Sequence, residues 1–185
     1  MRRALLGLGI LLNCIPGFTA DRREVFSPDK KIRLAAEVND SIYYSVYHNG
    51  SMILEPSVID MLLSDGTRIS DKLAIRRSSV TFHKNIITSP VPEKRKYIPD
   101  VYNELSIRLR QPFSIIFRVY DDGVAYRIVS HYRDSITIMN EKAVYRFPAN
   151  HLLYYPEVVK RENADSFHTS FEEPYQIKPL DSING

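Results

Sequence analysis

Hydrophobic and polar positions alternate along most of this chain with a period of two, the spacing of strands with one buried face rather than the 3.6 of an amphipathic helix. The clearest case runs from Phe113 to Ser130. Phe113, Ile115, Phe117 and Val119 alternate with Ser114, Ile116, Arg118 and Tyr120, and after a break Val124, Tyr126 and Ile128 alternate with Ala125, Arg127 and Val129. Between them Asp121-Asp122-Gly123 supplies residues that tolerate positive φ, so the pattern predicts a central hairpin. Phe117, Val119, Val124, Tyr126 and Ile128 are expected in or bordering its core.

The same pattern extends to both sides. After a turn at Ser27-Pro28-Asp29-Lys30, the residues Ile32, Leu34, Ala36 and Val38 line one face of a strand, with Lys31, Arg33 and Glu37 on the other. Asn39-Asp40 turns the chain, Ile42 to Tyr47 returns, and His48-Asn49-Gly50 closes a hairpin with Asn-Gly as its turn pair. Met52 to Leu54 and Val58 to Leu63 are apolar runs split by Glu55-Pro56; the second also suits a helical turn. Leu73, Ile75, Val80 and Phe82 suggest a strand pair with a basic outer face of Lys72, Arg76 and Arg77. Ser89 to Pro99, rich in proline and charge, reads as a loop over one edge or end, because proline lacks the donor a ladder needs. Alternation resumes through Leu105, Ile107 and Leu109, and short runs follow at Ile136 to Ile138 and Val144 to Phe147. Many short strands joined by turns, without a convincing amphipathic helix, predict an all-β antiparallel β-sandwich over residues 21–150. From His151 alternation stops, and 151–185 reads as an irregular segment rich in aromatics and carboxylates.

Composition narrows the compartment. Residues 1–20 begin with Arg2-Arg3, run apolar from Ala4 to Leu12, break at Pro16-Gly17 and end in Thr19-Ala20, the pattern of a secretory signal peptide too short for a membrane span. Its removal after Ala20 would take two of the 25 basic residues and none of the 22 acids, leaving 23 against 22 and a net charge of +1. That balance gives no attraction to nucleic acid or to an anionic membrane. Cys14, the only cysteine, leaves with the leader, so an exported, periplasmic fold would rest on its hydrophobic core without disulfides.

Strong catalytic signatures are missing: there is no glycine-rich phosphate loop, paired-cysteine metal site, His-x-x-x-His pair or Gly-x-Ser-x-Gly elbow. Glu172-Glu173 beside His168 offers carboxylates suited to a hard cation or to acid/base work, against a solvated acidic loop as the plainer reading. Asp121-Asp122 reads as a turn, and His48, His83 and His131 as surface or sheet-edge residues. Tyr43, Tyr44, Tyr47, Tyr154 and Tyr155 offer a sugar-stacking platform, although tyrosine is also a favoured strand residue.

One resemblance is specific. Ser27-Pro28-Asp29 before a strand, Leu54-Glu55-Pro56-Ser57, Tyr102-Asn103-Glu104-Leu105 and above all Ile116-Phe117-Arg118-Val119-Tyr120-Asp121-Asp122-Gly123-Val124-Ala125-Tyr126-Arg127 resemble the N-terminal domain of glycoside hydrolase family 97. Phe171-Glu172-Glu173-Pro174-Tyr175, followed by Pro179-Leu180 and Ile183, is similar to that family's passage towards its catalytic barrel. The resemblance implies an exported α-glucosidase or α-galactosidase of the kind typical of gut Bacteroidetes, with an N-terminal β-super-sandwich, a (β/α)8 barrel and a small C-terminal β domain. It implies calcium shared between the barrel and this domain, with Glu172 as the ligand from this side and Glu173 at the surface. The expected partners are the barrel and an α-linked oligosaccharide. Because the chain stops at Gly185, it is expected to be truncated before the barrel, with no catalytic residues of its own and no identifiable substrate-binding residues. A free-standing periplasmic carbohydrate-binding module and a structural envelope protein are the alternatives.

Overall fold

The computed structural model describes residues 21–91, 94–158 and 173–183. Two antiparallel sheets hold most of them. Asp21–Phe26 (β1), Ile32–Val38 (β2), Ile42–His48 (β3), Ser51–Leu63 (β4) and Ile138–Ala143 (β9) form a five-stranded sheet in the order β1-β2-β3-β4-β9. Ile75–Thr88 (β5), Tyr97–Leu109 (β6), Phe113–Val119 (β7) and Val124–Ser130 (β8) form a four-stranded sheet in sequence order.

The period-two pattern decides which faces meet. Leu34, Ala36, Ile42, Tyr44, Ile59, Met61 and Leu63 from the first sheet join Leu105, Ile107, Leu109, Phe113, Ile115, Phe117 and Val119 from the second in one core, with Val124, Tyr126 and Ile128 packed against it. Burying a side chain of this kind stabilises a fold by about 1.5–3 kcal/mol. The expected β-sandwich is therefore what forms, with the expected hairpin residues in or beside its core.

The turns divide. Asn49 (φ 48°) and Gly50 (φ 83°) are both left-handed in a two-residue loop between His48 and Ser51, the type I′ geometry that Asn-Gly favours. The Asp121-Asp122-Gly123 turn needs no positive φ. Tyr120 to Gly123 make a four-residue loop closed by the Tyr120 N–H donating to the Gly123 carbonyl at 2.8 Å, and none of these residues is left-handed. The Asp121 carboxylate instead accepts the Asp29 backbone N–H at 2.9 Å, tying this turn to the β1–β2 turn.

Three other expectations are revised. Val58 to Leu63, which also suited a helical turn, is the second half of the single strand β4, held by β9 along Ile59 to Leu63 on one edge and, on the other, by β3 at Val58 and Ile59 and by the backbone of Thr67 and Ile69 further on. Its proline is absorbed by a bulge: Tyr44 pairs with Ser57 and Val46 with Leu54, so Ser45 alone stands opposite Glu55 and Pro56. Pro99 lies inside β6, opposite Ile86 of β5. It is tolerated because β7 pairs only with Asn103 to Arg108, so the start of β6 has a neighbour on one side only. Beyond His151, Leu152–Tyr155 (β10) pairs with Gln176–Pro179 (β11) in a two-stranded antiparallel ribbon, followed by a 3-10 turn at Leu180–Ser182.

The chain crosses between the sheets over residues 64–74, and a buried carboxylate pins that crossing. Asp60 of β4 accepts the Met61 N–H at 2.8 Å and the Ser70 N–H at 3.2 Å through Oδ1, and the Ser70 hydroxyl at 2.8 Å through Oδ2. Ile69, fully buried, follows it into the core.

Candidate functional site

At the open edge of the sandwich β8 faces β3, β4 and β9 across a cleft of about 720 Å³. Its floor is apolar, from Val46, Leu54, Met61, Val124 and Ile128, and its polar groups are Tyr44, Tyr126, Tyr145, Glu141 and Arg127. The tyrosine rings arise from alternation itself: Tyr44 on β3 and Tyr126 on β8 both point inward, with centroids 5.7 Å apart, and both pack on Phe117. Burial pushes the Tyr44 phenol up to about 12, with Tyr145 adding to the shift. Burial also raises Tyr126, reinforced by Tyr145 and Glu141. Both hydroxyls therefore stay neutral over the physiological range, each with a proton to donate.

A cleft of apolar floor, inward phenol groups, one exposed tyrosine and, among the described residues, one carboxylate suits a neutral polyhydroxyl ligand. Hydrolysis of a glycosidic bond uses two carboxyl groups flanking that bond, and among the described residues Glu141 is the one carboxylate that lines this space. Tyr145, 57% exposed, is among the described residues the one aromatic that stands at the cleft's surface. Sequence reasoning placed it in the run Val144 to Phe147 without singling it out, since the neighbouring residues do not tell a strand tyrosine from one exposed at a cleft.

The second surface is the β10–β11 ribbon. Register places Tyr154 opposite Ile177 and Leu152 opposite Pro179, so Leu152, Tyr154, Ile177 and Pro179 share one face, with Tyr175 next along. Leu152, Tyr154, Tyr175 and Ile177 are 60–75% exposed. The opposite face carries Lys178, whose ammonium meets Glu157 at 2.9 Å. A two-stranded ribbon is marginal in water by itself, and this one presents an apolar face to the surface.

The other predicted site residues scatter. The five tyrosines of the proposed stacking platform are not brought together: Tyr44 is in the core, the Tyr47 ring lies under the Arg33 guanidinium at 3.8 Å, and Tyr154 is on the ribbon. His48 is exposed at its turn, and His131 Nε2 lies 2.9 Å from the Ser114 hydroxyl. His83 stacks on Tyr102 at 4.8 Å, with its Nε2 buried and unpaired. Glu172 and His168 lie outside the described residues, and Glu173 is exposed. Among the described residues no group of three or more His, Cys, Asp or Glu is placed to hold a metal ion, and no helix is long and apolar enough to cross a membrane.

Comparison with known proteins gives a consistent result. The family model described as glycosyl-hydrolase 97 N-terminal matches residues 25–185. A retaining alpha-galactosidase of Bacteroides thetaiotaomicron is 29% identical over 161 residues, covering 85% of this chain and 24% of that protein. Among solved structures, a beta-arabinopyranosidase superposes with a TM-score of 0.72 at 27% identity, over 83% of this chain and 26% of the other. A family 97 enzyme from Pseudoalteromonas sp. strain K8, in complex with acarbose, has the same fold with a TM-score of 0.72 at 19% identity, over 86% of this chain and 25% of the other. The chain thus spans about a quarter of the length of the proteins it matches.

Proposed function

This chain belongs to the glycosyl-hydrolase 97 N-terminal family, and from that premise we propose that it acts as the N-terminal β-sandwich module of an exported, periplasmic α-glycosidase whose catalytic work is done by a (β/α)8 barrel. In this reading the leader at 1–20 directs export, and the sandwich packs on a catalytic barrel and closes one wall of a pocket for an α-linked oligosaccharide. Glu172 then lends one carboxylate to calcium. One carboxylate cannot hold that ion, which takes six to eight oxygens, so the remaining ligands come from the catalytic domain. The residues of this chain supply binding surface and one charge; the acid and base of the reaction belong to the partner domain.

The observation that carries this reading is the apolar ribbon face of Leu152, Tyr154, Tyr175 and Ile177. A bare apolar face on a two-stranded ribbon is what a packed partner domain would cover. The tyrosine-rimmed cleft supports the second reading, a free-standing carbohydrate-binding module, because its groups suit a neutral sugar without a second domain.

The test is a chimera in which this chain replaces the matching quarter of the Bacteroides thetaiotaomicron alpha-galactosidase. The chimera should hydrolyse an aryl α-galactoside. Tyr154→Lys with Ile177→Lys should lower its unfolding temperature and activity together. Glu172→Gln should raise the calcium needed for half-maximal activity, while Glu173→Gln should not. Indifference to the ribbon substitutions would remove the docking role, and equal calcium dependence of the two glutamine variants would remove the role of Glu172.

A further inference from the structure

We propose that the outer face of the four-stranded sheet carries an anion-binding groove that takes the carboxylate or sulfate groups of an acidic glycan. The sheet register builds it. Arg77 of β5 pairs with Arg108 of β6, Arg108 with Ser114 of β7, and Ser114 with Val129 of β8, so these side chains cross the sheet in one row; Ser106 and Ile116 lie in the next. Between Ile75 and Arg77 the β5–β6 register slips by one residue, leaving Arg76 as the extra residue of a bulge. A bulge re-aims a side chain, and here two consecutive arginines line one groove where strict alternation would have sent them to opposite faces.

The groove has a volume of about 610 Å³, and among the described residues Arg76, Arg77, Arg108, His131 and two serines supply its polar lining, with no carboxylate. The Arg108 guanidinium is held in place, its Nη1 donating to the Phe113 carbonyl at 2.9 Å. Among the described residues none of Arg76, Arg77 and Arg108 forms an ion pair. That is a local exception. One row further along the same face Arg118 meets Glu104 at 3.0 Å, and on the other sheet Arg22 and Arg33 share Glu24. Three guanidinium groups gathered without counter-charge repel one another, and an anion placed between them relieves that repulsion. The planar fork of each guanidinium matches the paired oxygens of a carboxylate or sulfate, and serine hydroxyls add donors.

The choice of a sugar as the carrier of the anion rests on the family reading above; the charge and shape of the groove do not. The experiment is calorimetric titration of the whole chain with polygalacturonate, dextran sulfate, neutral dextran and polyglutamate at two salt concentrations. One or both of the acidic glycans should bind, more weakly at high salt, and which of them binds tells carboxylate from sulfate. Neutral dextran should show no binding that the Arg76 and Arg77 substitutions change, since only the separate tyrosine-lined cleft offers it a place, and polyglutamate should bind at least tenfold more weakly than the preferred glycan. Arg76→Gln with Arg77→Gln should lower glycan affinity at least tenfold without moving the urea unfolding midpoint, and Arg76→Lys with Arg77→Lys should fall between. Lys30→Gln with Lys142→Gln removes the same charge elsewhere and should leave affinity within twofold. No binding by either acidic glycan, an equal loss in the lysine control, or equal binding of polyglutamate would overturn the proposal, and each of those outcomes leaves the chimera test of the family role standing.

Discussion

Asp60 is the residue at which a small chemical change should have its most legible effect on stability. It is 7% exposed and accepts three hydrogen bonds, two from backbone and side chain of Ser70 across the inter-sheet crossing and one from the Met61 N–H. Hydrogen bonds to a charged group contribute about 1.5–3 kcal/mol each, and donors left buried without a partner are the costly part. Asp60→Ala strands at least the Met61 and Ser70 donors while also removing a buried charge, so the net loss should be about 3 kcal/mol. That is a large share of a total stability of about 5–15 kcal/mol. Asp60→Asn keeps the oxygen that serves both N–H groups, and the Ser70 hydroxyl can turn to accept from the new amide; about 1 kcal/mol should be lost. Arg68, whose Nη1 is 3.8 Å from Asp60 and whose side chain is 50% exposed, is an ion-pair partner in name more than in energy, and Arg68→Ala should cost about 0.5 kcal/mol or less. The assay is urea unfolding followed by tyrosine fluorescence, since the chain has 12 tyrosines and no tryptophan. An alanine variant within about 1 kcal/mol of the parent, or an asparagine variant as damaged as the alanine one, would refute the account of how the crossing is held.

Other outcomes follow from the same coordinates. Phe117→Ala, which empties the centre of the core beside Tyr44 and Tyr126, should cost about 3–5 kcal/mol in the same assay, whereas Phe82→Ala, at a position 56% exposed, should stay within about 0.5 kcal/mol. Gly50→Ala should lose about 1 kcal/mol despite open space around it, because φ there is +83°. Asp29 is held well below its ordinary value of 3.8, first by the Ser27 hydroxyl, then by the Lys31 N–H and the Lys31 side chain. Its folded value being depressed, its contribution is present above about pH 4 and lost as pH falls below; Asp29→Asn should therefore flatten the acid limb of a plot of urea midpoint against pH between about 4 and 2. The purified chain alone should release no nitrophenol from aryl α-glucosides or α-galactosides, and release that a point substitution in this chain abolishes would overturn the non-catalytic role.

The core was legible because it depends on one period. Leu105, Ile107, Leu109, Phe113, Ile115 and Phe117 are inward for the same reason that they alternate. What the pattern could not show are the places where a neighbour decides. Pro99 and Pro56 sit in strands because one sheet leaves an edge open and the other admits a bulge, and both facts depend on residues far away in sequence. The side-by-side aim of Arg76 and Arg77 depends on that same kind of slip. Tyr44 illustrates a further limit: a tyrosine's sequence context does not say whether its ring is a stacking surface or, as here, core. The ribbon escaped because its two strands are only four residues each and are separated by twenty residues.

The position of β9 has a consequence for the order in which the molecule can be assembled. Strands β1 to β4 are complete by Leu63, yet the strand that covers the free edge of β4 ends only at Ala143, after the whole four-stranded sheet has been made. During synthesis from the N-terminus a row of unpaired β4 backbone groups, flanked by Val58, Ile59 and Met61, must therefore wait while about seventy residues emerge. Among the described strand pairs this one closes the longest stretch of chain, and until it does the edge is open to pairing with another chain. Conditions that delay the arrival of residues 138–143 should favour aggregation seeded at β4 long before they affect the stability of the finished fold.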